Sequence, residues 1–283
     1  MSKVWFVTGS SRGLGRAIVR NALNAGDRVV ATARKPEQLD DLVTEFGDRV
    51  LPLALDVTDA GDVQLAVERG LKAFGRYDVV VNNAGYGDTA AVEDVTLDDF
   101  RAQIDTNFYG VVYVTKAVLP ILREQGSGHI FQVSSLGGRL GTPGLAAYQS
   151  AKWAVGGFST VLAQEVAPLG IKVTVLEPGG MRTDWAGSSM TIPPISAPYR
   201  PTVGAFADMI RGAGTGAGPA NTADPARVAE IIAELATRDD APVRLLLGRD
   251  AVQYGEAAAA ALAETDAKWR AVSESSWEEK RIS

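Results

Sequence analysis

The sequence predicts an α/β protein with one doubly wound parallel sheet, and three observations support this prediction. Short runs rich in Val, Ile and Leu are apolar throughout rather than alternating, which is typical of parallel strands buried on both faces. Segments long enough for helices lie between these runs, as right-handed strand–helix–strand crossovers require. A glycine-rich turn, TGSSRGLG, joins the first run to the first helical segment.

Strand and helix candidates follow each other in alternation. The strand candidates are residues 3–8, 28–33, 50–55, 78–82, 129–134, 172–177 and 243–248. The helix candidates are residues 13–25, 37–46, 59–74, 98–124, 147–168 and 225–238. Asp224 followed by Pro225 is typical of an N-cap with proline at the first helical position. Because no linker or internal repeat interrupts the pattern, we predict a single domain over residues 1–283.

Two segments depart from this alternation. Residues 184–222 are rich in Pro, Gly and Ser with scattered apolar side chains. We interpret them as a flexible loop inserted over a substrate, with a disordered surface loop as the alternative. Residues 250–283 are rich in alanine and charged residues, and they predict a C-terminal helix held by a few apolar anchors.

The composition narrows the classes of function. A net charge of −6 argues against nucleic acid or an anionic membrane as the main partner. The chain has no cysteine and one histidine, which disfavours a metal site, a thiolate nucleophile and a Ser-His-Asp triad. We expect a structural role for that histidine, His129. The N-terminal residues lead directly into a strand and no long apolar run follows, so we expect a cytoplasmic protein.

The glycine-rich turn indicates a dinucleotide site. Glycines at this place let the backbone turn tightly and approach a pyrophosphate, which lies against the N-terminus of the following helix. The spacing G-x-x-x-G-x-G differs from the usual G-x-G-x-x-G, and a glycine-rich turn without a ligand is the alternative. The predicted contact residues are Gly9, Ser11, Arg12, Gly13, Leu14 and Gly15.

The end of the second predicted strand indicates which dinucleotide binds. An acidic residue there would bind the ribose 2′-hydroxyl of NAD, whereas a basic residue accommodates the 2′-phosphate of NADP. The sequence places Arg34 and Lys35 there, and Arg12 lies in the glycine-rich turn. Guanidinium groups bind phosphate in a bidentate fashion, so Arg12 and Arg34 predict NADP(H) in preference to NAD(H). Two arginines merely solvated at loop tips are the alternative.

Two further strand ends bring residues to the same edge of the sheet. Asp56 and Val57 follow the third strand, where the Asp56 carboxylate can accept a hydrogen bond from the adenine amino group. Asn83, Ala84 and Gly85 follow the fourth strand, and the two small residues leave room for the adenosine. Each segment taken alone is equally compatible with an ordinary turn.

Tyr148 and Lys152 lie four residues apart in AAYQSAKWAV, on one face of a predicted helix. A carbonyl that receives hydride from a reduced nicotinamide develops negative charge on its oxygen and needs a proton. A phenol with its pKa near 10 is a poor proton shuttle near neutrality. The Lys152 ammonium and the charge of the oxidised nicotinamide both act to lower the pKa of Tyr148. The three N–H donors of Lys152 can also bind the ribose hydroxyls.

Six motifs together resemble the short-chain dehydrogenase/reductase family, in the branch with T-G-x-x-x-G-x-G and Y-x-x-x-K. In chain order they are TGSSRGLG (8–15), NNAG (82–85), Asn107 in DTNFYG, Ser134-Ser135, YQSAK (148–152) and PGGMRT (178–183). They span roughly residues 1–250, and the chain most resembles bacterial members of the family that are loosely similar to hydroxysteroid and retinol dehydrogenases. The resemblance implies a single-domain Rossmann fold with a seven-stranded parallel sheet flanked by helices, in agreement with the pattern above.

The resemblance also implies catalytic roles. Tyr148 is expected to be the general acid/base and Lys152 its partner. Ser135 is expected to orient the carbonyl through its hydroxyl, with Ser134 as the alternative, because Ser135 has the family's spacing from the tyrosine. Asn107 is expected to hold a proton-relay water.

After the sixth strand, Pro178 and Gly179 are expected to form a turn over the nicotinamide, and Thr183 to hydrogen-bond its carboxamide. The apolar residues that follow predict a fairly apolar substrate, although they would equally suit a partner subunit. Family members usually pair through two long helices, here 98–124 and 147–168. A homodimer or homotetramer is therefore expected, unless the C-terminal helix blocks one interface.

The predicted function is metal-free, NADP(H)-dependent interconversion of a carbonyl and a primary or secondary alcohol. One alternative is a sugar-nucleotide epimerase or dehydratase, which the glycine spacing and the chain length disfavour. The other is a redox-sensing regulator that binds NADP without turning it over. Such a regulator does not need Tyr148 and Lys152, and both are present.

Overall fold

A seven-stranded parallel sheet forms the centre of the computed structural model, which describes residues 2–183, 190–213 and 222–277. The strand order is β3-β2-β1-β4-β5-β6-β7. The strands are β1 Val4–Val7, β2 Arg28–Ala33, β3 Val50–Ala54, β4 Val79–Asn82, β5 Gly128–Val133, β6 Ile171–Pro178 and β7 Arg244–Leu247. The predicted fold class is confirmed, with each strand within two residues of its predicted bounds.

Helices cover both faces of the sheet. They are α1 Gly13–Asn24, α2 Asp40–Phe46, α3 Ala60–Phe74, α4 Leu97–Ile104, α5 Gly110–Gln125, α6 Ala146–Val166, α7 Ala205–Ala213, α8 Pro225–Leu235 and α9 Arg249–Glu274. Trp5 and Val7 face a core made with α1, α2 and α8, whereas Val4 and Phe6 face a core made with α3, α5 and α6. The unbroken apolar sequence of β1 follows from this burial on both faces.

Two predicted helical regions differ from the observed ones. The helix expected over 98–124 is divided into α4 and α5 by a π-helical turn at Asp105–Tyr109. A single extra residue in a helix leaves the apolar pattern on both sides nearly unchanged, so the sequence pattern did not reveal it. Within the loop predicted at 184–222, the sequence analysis missed helix α7. Residues 184–189 and 214–221 of that loop lie outside the described residues.

The predicted C-terminal helix is present as α9, but its anchors are small residues at its beginning. Ala251 and Gly255 are buried, whereas residues 259–277 are exposed. Large apolar side chains do not anchor this part of the helix, since Leu262 and Trp269 face solvent. No helix in the described part of the chain is long and apolar enough to cross a membrane.

Candidate active site

The glycine-rich turn lies between the end of β1 and the start of α1, where the strand order reverses between β1 and β4. In open parallel sheets such a reversal creates a crevice at the carboxyl edge. Gly9 has a φ of +67°, and a Cβ there would lie 2.9 Å from the Ala84 Cα. A Cβ at Gly15 would overlap the carbonyl oxygen of Gly9. Only glycine fits these two places, so the turn leaves an open backbone cradle of the kind a pyrophosphate requires.

Hydrogen bonds hold the end of β4 to this cradle. The Thr8 hydroxyl accepts from the backbone N–H groups of Asn83 and Ala84, each at 3.0 Å. The Asn83 amide donates to the carbonyl oxygens of Thr8 and Gly9 at 3.0 and 3.1 Å. Asn83 was predicted as a cofactor contact, and its side chain stabilises the turn. Thr8 was part of the predicted motif without a role of its own, and the structure shows that its hydroxyl holds the end of β4.

The arginines near the predicted 2′-phosphate site differ in whether they form ion pairs. Arg12 and Arg34 are both exposed, and Arg34 makes no hydrogen bond or ion pair within the described residues. Arg16, one turn further along α1, is ion-paired with Asp41. The charge of Arg34 is therefore available at this site, whereas that of Arg16 is already neutralised.

The adenine side of the predicted site is formed by the segment after β3. Asp56 is exposed, and its Oδ1 accepts from the backbone N–H and the hydroxyl of Thr58, at 3.0 and 2.8 Å. Val57 is buried against Gly110, where a Cβ would lie 2.7 Å from the valine Cγ2. The Asp56 carboxylate thus has a fixed orientation at the edge of the crevice.

Helix α6 places Tyr148 and Lys152 on one buried face. The Lys152 Nζ lies 5.5 Å from the centre of the Tyr148 ring and donates to the Val133 carbonyl oxygen at 2.9 Å. The Ser135 side chain hydrogen-bonds Tyr148, and its Oγ also accepts from the Gly137 N–H at 3.0 Å. The neighbouring Ser134 hydroxyl donates instead to the Lys152 carbonyl oxygen at 3.0 Å. Of the two serines, the structure therefore brings Ser135 to the tyrosine.

Burial dominates the acid–base properties of this pair. It raises the pKa of Tyr148 to about 12, while the hydrogen bond with Ser135 acts in the opposite direction. Burial also lowers the pKa of Lys152 to about 8. The lowered pKa that we expected for the phenol is therefore not produced by the chain itself. The free energy needed to remove the phenolate from water is larger than the stabilisation that its neighbours provide.

Asn107 lies in the π-helical turn and faces the same space. Its amide nitrogen donates to the carbonyl oxygens of Tyr86 and Gln103 at 2.8 and 2.9 Å. Its Oδ1 is buried and has no hydrogen-bond partner within the described residues. A Cβ at Gly85 would lie 2.6 Å from this Oδ1 and 3.4 Å from the Lys152 Nζ. The absence of a side chain at Gly85 thus leaves space between Asn107 and Lys152.

The segment after β6 reaches back across the glycine-rich turn. Pro178 is the last residue of β6, and Gly179 donates its N–H to the Leu247 carbonyl oxygen at 3.0 Å. Thr183 lies beside Gly13, where a Cβ would be 3.6 Å from the threonine Cβ. The segment from Pro178 to Thr183 thus runs from the end of β6 to the glycine-rich turn.

The described part of the predicted substrate loop packs against the segment after β4. The Tyr199 hydroxyl and Glu93 are 2.6 Å apart, and the Ser196 N–H donates to Asp94 at 3.0 Å. A cavity of about 380 Å³ lies between this loop and α7. Its lining combines apolar and charged side chains: Ile192, Pro193, Pro194, Ile195, Arg200, Asp208 and Arg211. The loop is therefore less uniformly apolar than its sequence indicated.

A buried carboxylate that was not predicted from the sequence lies beside the site. Glu177 lies one residue before the end of β6, and its side chain is fully buried. Arg139 donates from Nε at 2.7 Å and Arg244 from Nε at 3.0 Å, and their terminal nitrogens donate as well. The sequence offered one indication of this cluster, a glutamate within the apolar run KVTVLE. A charged residue in a buried strand needs ion-pair partners.

A Rossmann-type sheet with these residues at its carboxyl edge is typical of dinucleotide-dependent oxidoreductases. The sequence model described as "short chain dehydrogenase" matches residues 3–191. The protein belongs to the short-chain dehydrogenase/reductase family and is an oxidoreductase of that family.

Individual relatives agree with this assignment. The chain is 62% identical over 274 residues to "Oxidoreductase BOA17" of Botryotinia fuckeliana. These aligned residues make up 96% of this chain and 98% of that protein. The chain is similar to the crystal structure of a short-chain dehydrogenase from Streptomyces avermitilis, with a TM-score of 0.91 and 37% identity over 98% of each chain. Among more distant solved relatives at 27–28% identity, one is complexed with NADH, one with 5-hydroxy-NADP and one with NADP.

Proposed function

We propose that the protein is an NADP(H)-dependent oxidoreductase that interconverts a carbonyl group and a primary or secondary alcohol. The observation that carries this proposal is the grouping of Tyr148, Lys152 and Ser135 at the carboxyl edge of the sheet. These three side chains lie beside a glycine cradle that fits a dinucleotide. When bound there, the cofactor supplies the hydride in reduction and accepts it in oxidation.

The chain's own residues then provide proton transfer and orientation. In reduction, the Tyr148 hydroxyl donates its proton to the carbonyl oxygen as negative charge develops on that oxygen. The Ser135 hydroxyl, already hydrogen-bonded to Tyr148, orients the same oxygen and stabilises its charge. In oxidation, Tyr148 accepts the alcohol proton instead. A pKa of about 12 keeps the phenol protonated at neutral pH, as the reductive direction requires.

Lys152 and Asn107 support the proton path. The Lys152 ammonium is positioned to bind ribose hydroxyls and to favour the phenolate form of Tyr148 when the alcohol is oxidised. We assign the unpartnered Asn107 Oδ1 to a relay water between Asn107 and Lys152. A buried acceptor without a partner calls for such an explanation.

The preference for NADP(H) rests on the charge at the 2′-phosphate site. Arg34 is exposed and not ion-paired within the described residues, and Arg12 is an exposed residue of the glycine-rich turn. No carboxylate follows β2 to bind a ribose 2′-hydroxyl before Glu37. Solved relatives bind either type of cofactor, so the proposed preference for NADP(H) depends on these two arginines.

The remaining parts of the proposal concern substrate and surroundings. A fairly apolar carbonyl compound agrees with Ile192 and Ile195 in the described part of the substrate loop. Pairing of two copies through the helices that flank the site is proposed as well. A cytoplasmic location stays a prediction from the sequence.

The test uses Tyr148→Phe, which removes only the hydroxyl. NADPH oxidation is followed with a panel of ketones, quinones and aldehydes, and NADPH and NADH binding is titrated by fluorescence. We expect turnover to fall by about 10²–10⁴-fold, the contribution of a general acid, while the dissociation constant for NADPH is unchanged. The control is Tyr254→Phe on the exposed face of α9.

Two outcomes would contradict the proposal separately. Unchanged turnover in Tyr148→Phe would remove the tyrosine from the proton path. Equal affinity of the unsubstituted protein for NADH and NADPH would overturn the role of Arg12 and Arg34 and leave the reaction class intact.

A further inference from the structure

We propose that Asp250, near the start of α9, is a positioning residue for the cofactor turn, defined here as residues 178–183. Through Asp250 the C-terminal helix becomes part of the nicotinamide end of the site. This inference rests on the proposed function, because it assumes that the cofactor turn contacts a bound dinucleotide.

The Asp250 carboxylate is enclosed by glycine backbone. Its Oδ2 accepts a hydrogen bond from the Gly180 N–H at 2.7 Å. A Cβ at Gly179 would overlap the carboxyl group, and a Cβ at Gly248 would lie 2.7 Å from the Asp250 Oδ1. The absence of side chains at these glycines lets a charged group approach the backbone of the cofactor turn directly.

The Asp250 carboxyl group lies at a helix N-terminus, and one of its two oxygens lacks a partner. Asp250 lies in the first turn of α9, where the partial positive charge of the helix N-terminus stabilises an anion. Its Oδ1 is buried without a hydrogen-bond partner in the described part of the chain. Leaving a buried acceptor without a hydrogen bond destabilises the folded protein. The presence of Asp250 here therefore indicates a functional role and not only a contribution to packing.

Three further hydrogen bonds of the cofactor turn also involve the C-terminal part of the chain. The Gly179 N–H donates to Leu247, the Ala223 N–H donates to Gly180 at 2.8 Å, and the Arg182 N–H donates to Ala223 at 3.1 Å. These partners lie beyond residues 3–191, the part that the family's sequence model matches. These hydrogen bonds therefore tie the cofactor turn to segments that follow the substrate loop.

A change at Gly179 and Gly180 would be transmitted along the turn to Thr183. Thr183 lies beside Gly13 of the glycine-rich turn. A shift there would move one wall of the crevice, and small misplacements of a cofactor weaken both binding and reactivity. We therefore expect Asp250 to act on cofactor affinity rather than on affinity for the carbonyl substrate.

The first experiment compares Asp250→Ala, Asp250→Asn and the control Asp266→Ala, which alters an exposed position of the same helix. NADPH binding is titrated by fluorescence, and the melting temperature is measured without cofactor. We expect the dissociation constant for NADPH to rise about tenfold in Asp250→Ala, as for the loss of one hydrogen bond to a charged group. In Asp250→Asn, which retains an acceptor oxygen, the dissociation constant for NADPH should rise by only about two- to threefold. KM for the carbonyl at saturating NADPH should not change.

A second comparison tests the close approach of Asp250 to Gly179. Gly179→Ala should weaken NADPH binding strongly because its methyl group collides with the carboxylate. Adding Asp250→Ala should then restore part of the affinity, which additive effects would not produce.

Three results would overturn the inference. One is NADPH affinity in Asp250→Ala within twofold of the unsubstituted protein. Another is a lowered melting temperature in Asp250→Ala that accounts for its weaker NADPH binding, together with equally weak binding in Asp250→Asn. That result would indicate a purely structural role. The third is an unsubstituted protein that binds neither NADPH nor NADH, which would overturn the proposed function as well.

Discussion

At the scale of single residues, burial of the Tyr148–Lys152 pair has an energetic consequence before any ligand binds. The folded chain holds Lys152 in an apolar setting that lowers its pKa from 10.5 to about 8, and it raises that of Tyr148 from 10.0 to about 12. Both shifts disfavour the charged form. At neutral pH the cost in stability comes from the buried, protonated Lys152, whereas the Tyr148 phenol is neutral in both states and carries none.

The pH dependence of folding should reveal this cost at Lys152. Below pH 8 the lysine is protonated in both states, and the folded protein bears the full penalty of a buried charge. Between pH 8 and 10.5 the unfolded chain binds more protons than the folded one, so stability rises with pH. The lysine contribution to the free energy of unfolding should increase by about 3 kcal/mol over this range. Above pH 10 the raised pKa of Tyr148 acts in the opposite direction.

Urea unfolding at a series of pH values between 7.5 and 10 measures this effect. Lys152→Met should remove the rise, because methionine has a similar length and does not titrate. Lys116→Met, at an exposed position on α5, should retain it. Equal slopes in the two variants would show that Lys152 is not held in the environment described here.

At the scale of secondary-structure elements, the Glu177 ion-pair cluster joins three segments that meet at the site. Glu177 lies on β6, Arg244 on β7, and Arg139 follows the short turn that begins after Ser135. The Arg244 guanidinium also donates to the Gly138 carbonyl oxygen at 3.4 Å and packs against Gly156 of α6. The cluster thus fixes the Ser135 segment relative to the helix that carries Tyr148.

Glu177→Gln should therefore affect both stability and catalysis. Breaking a buried ion pair costs about 3–5 kcal/mol, and we expect the lower end because both arginines are about one-third exposed. Turnover should fall while NADPH affinity stays constant, since the displaced segment carries Ser135 and not the glycine cradle. Chemical denaturation and steady-state kinetics provide the measurements, with Glu165→Gln on the exposed side of α6 as the control. A free energy of unfolding unchanged to within 0.5 kcal/mol, about the size of an ordinary surface effect, would contradict this account.

The same elements show what could be predicted from the sequence. All seven strands were found because parallel strands buried on both faces produce continuous apolar runs. Tyr148 and Lys152 were grouped correctly on one helix face, since their spacing alone determines it. The position of Asp250 against Gly179 could not be predicted, because this contact joins residues 71 positions apart through loop geometry without a periodic pattern. Helix α7 was missed because prolines and glycines around it obscure its short apolar pattern.

At the scale of the whole molecule, helix α6 carries two exposed large apolar side chains on the face that points away from the sheet. Trp153 and Val161 are about half exposed and lie eight residues apart on one face of α6. Gly157 lies between them, and nothing in the described chain would contact a side chain there. In the π-helical turn that precedes α5, Tyr109 is 44% exposed and stacks on Tyr113 of α5. A small residue between two large apolar ones is suited to close approach by a second helix.

We therefore predict a symmetric homodimer in which this face of α6 meets its own copy, as expected for pairing about a two-fold axis. Trp153→Glu would place a charge at the centre of the contact. It should raise the dimer dissociation constant by roughly 30-fold or more, since central aromatic residues contribute about 2 kcal/mol or more to such contacts. Sedimentation equilibrium across a range of concentrations measures the change. Trp269→Glu is the matched control, because Trp269 is equally exposed but lies on α9. If Trp269→Glu dissociates the assembly and Trp153→Glu does not, the C-terminal helix forms the interface and the α6 face is left to solvent.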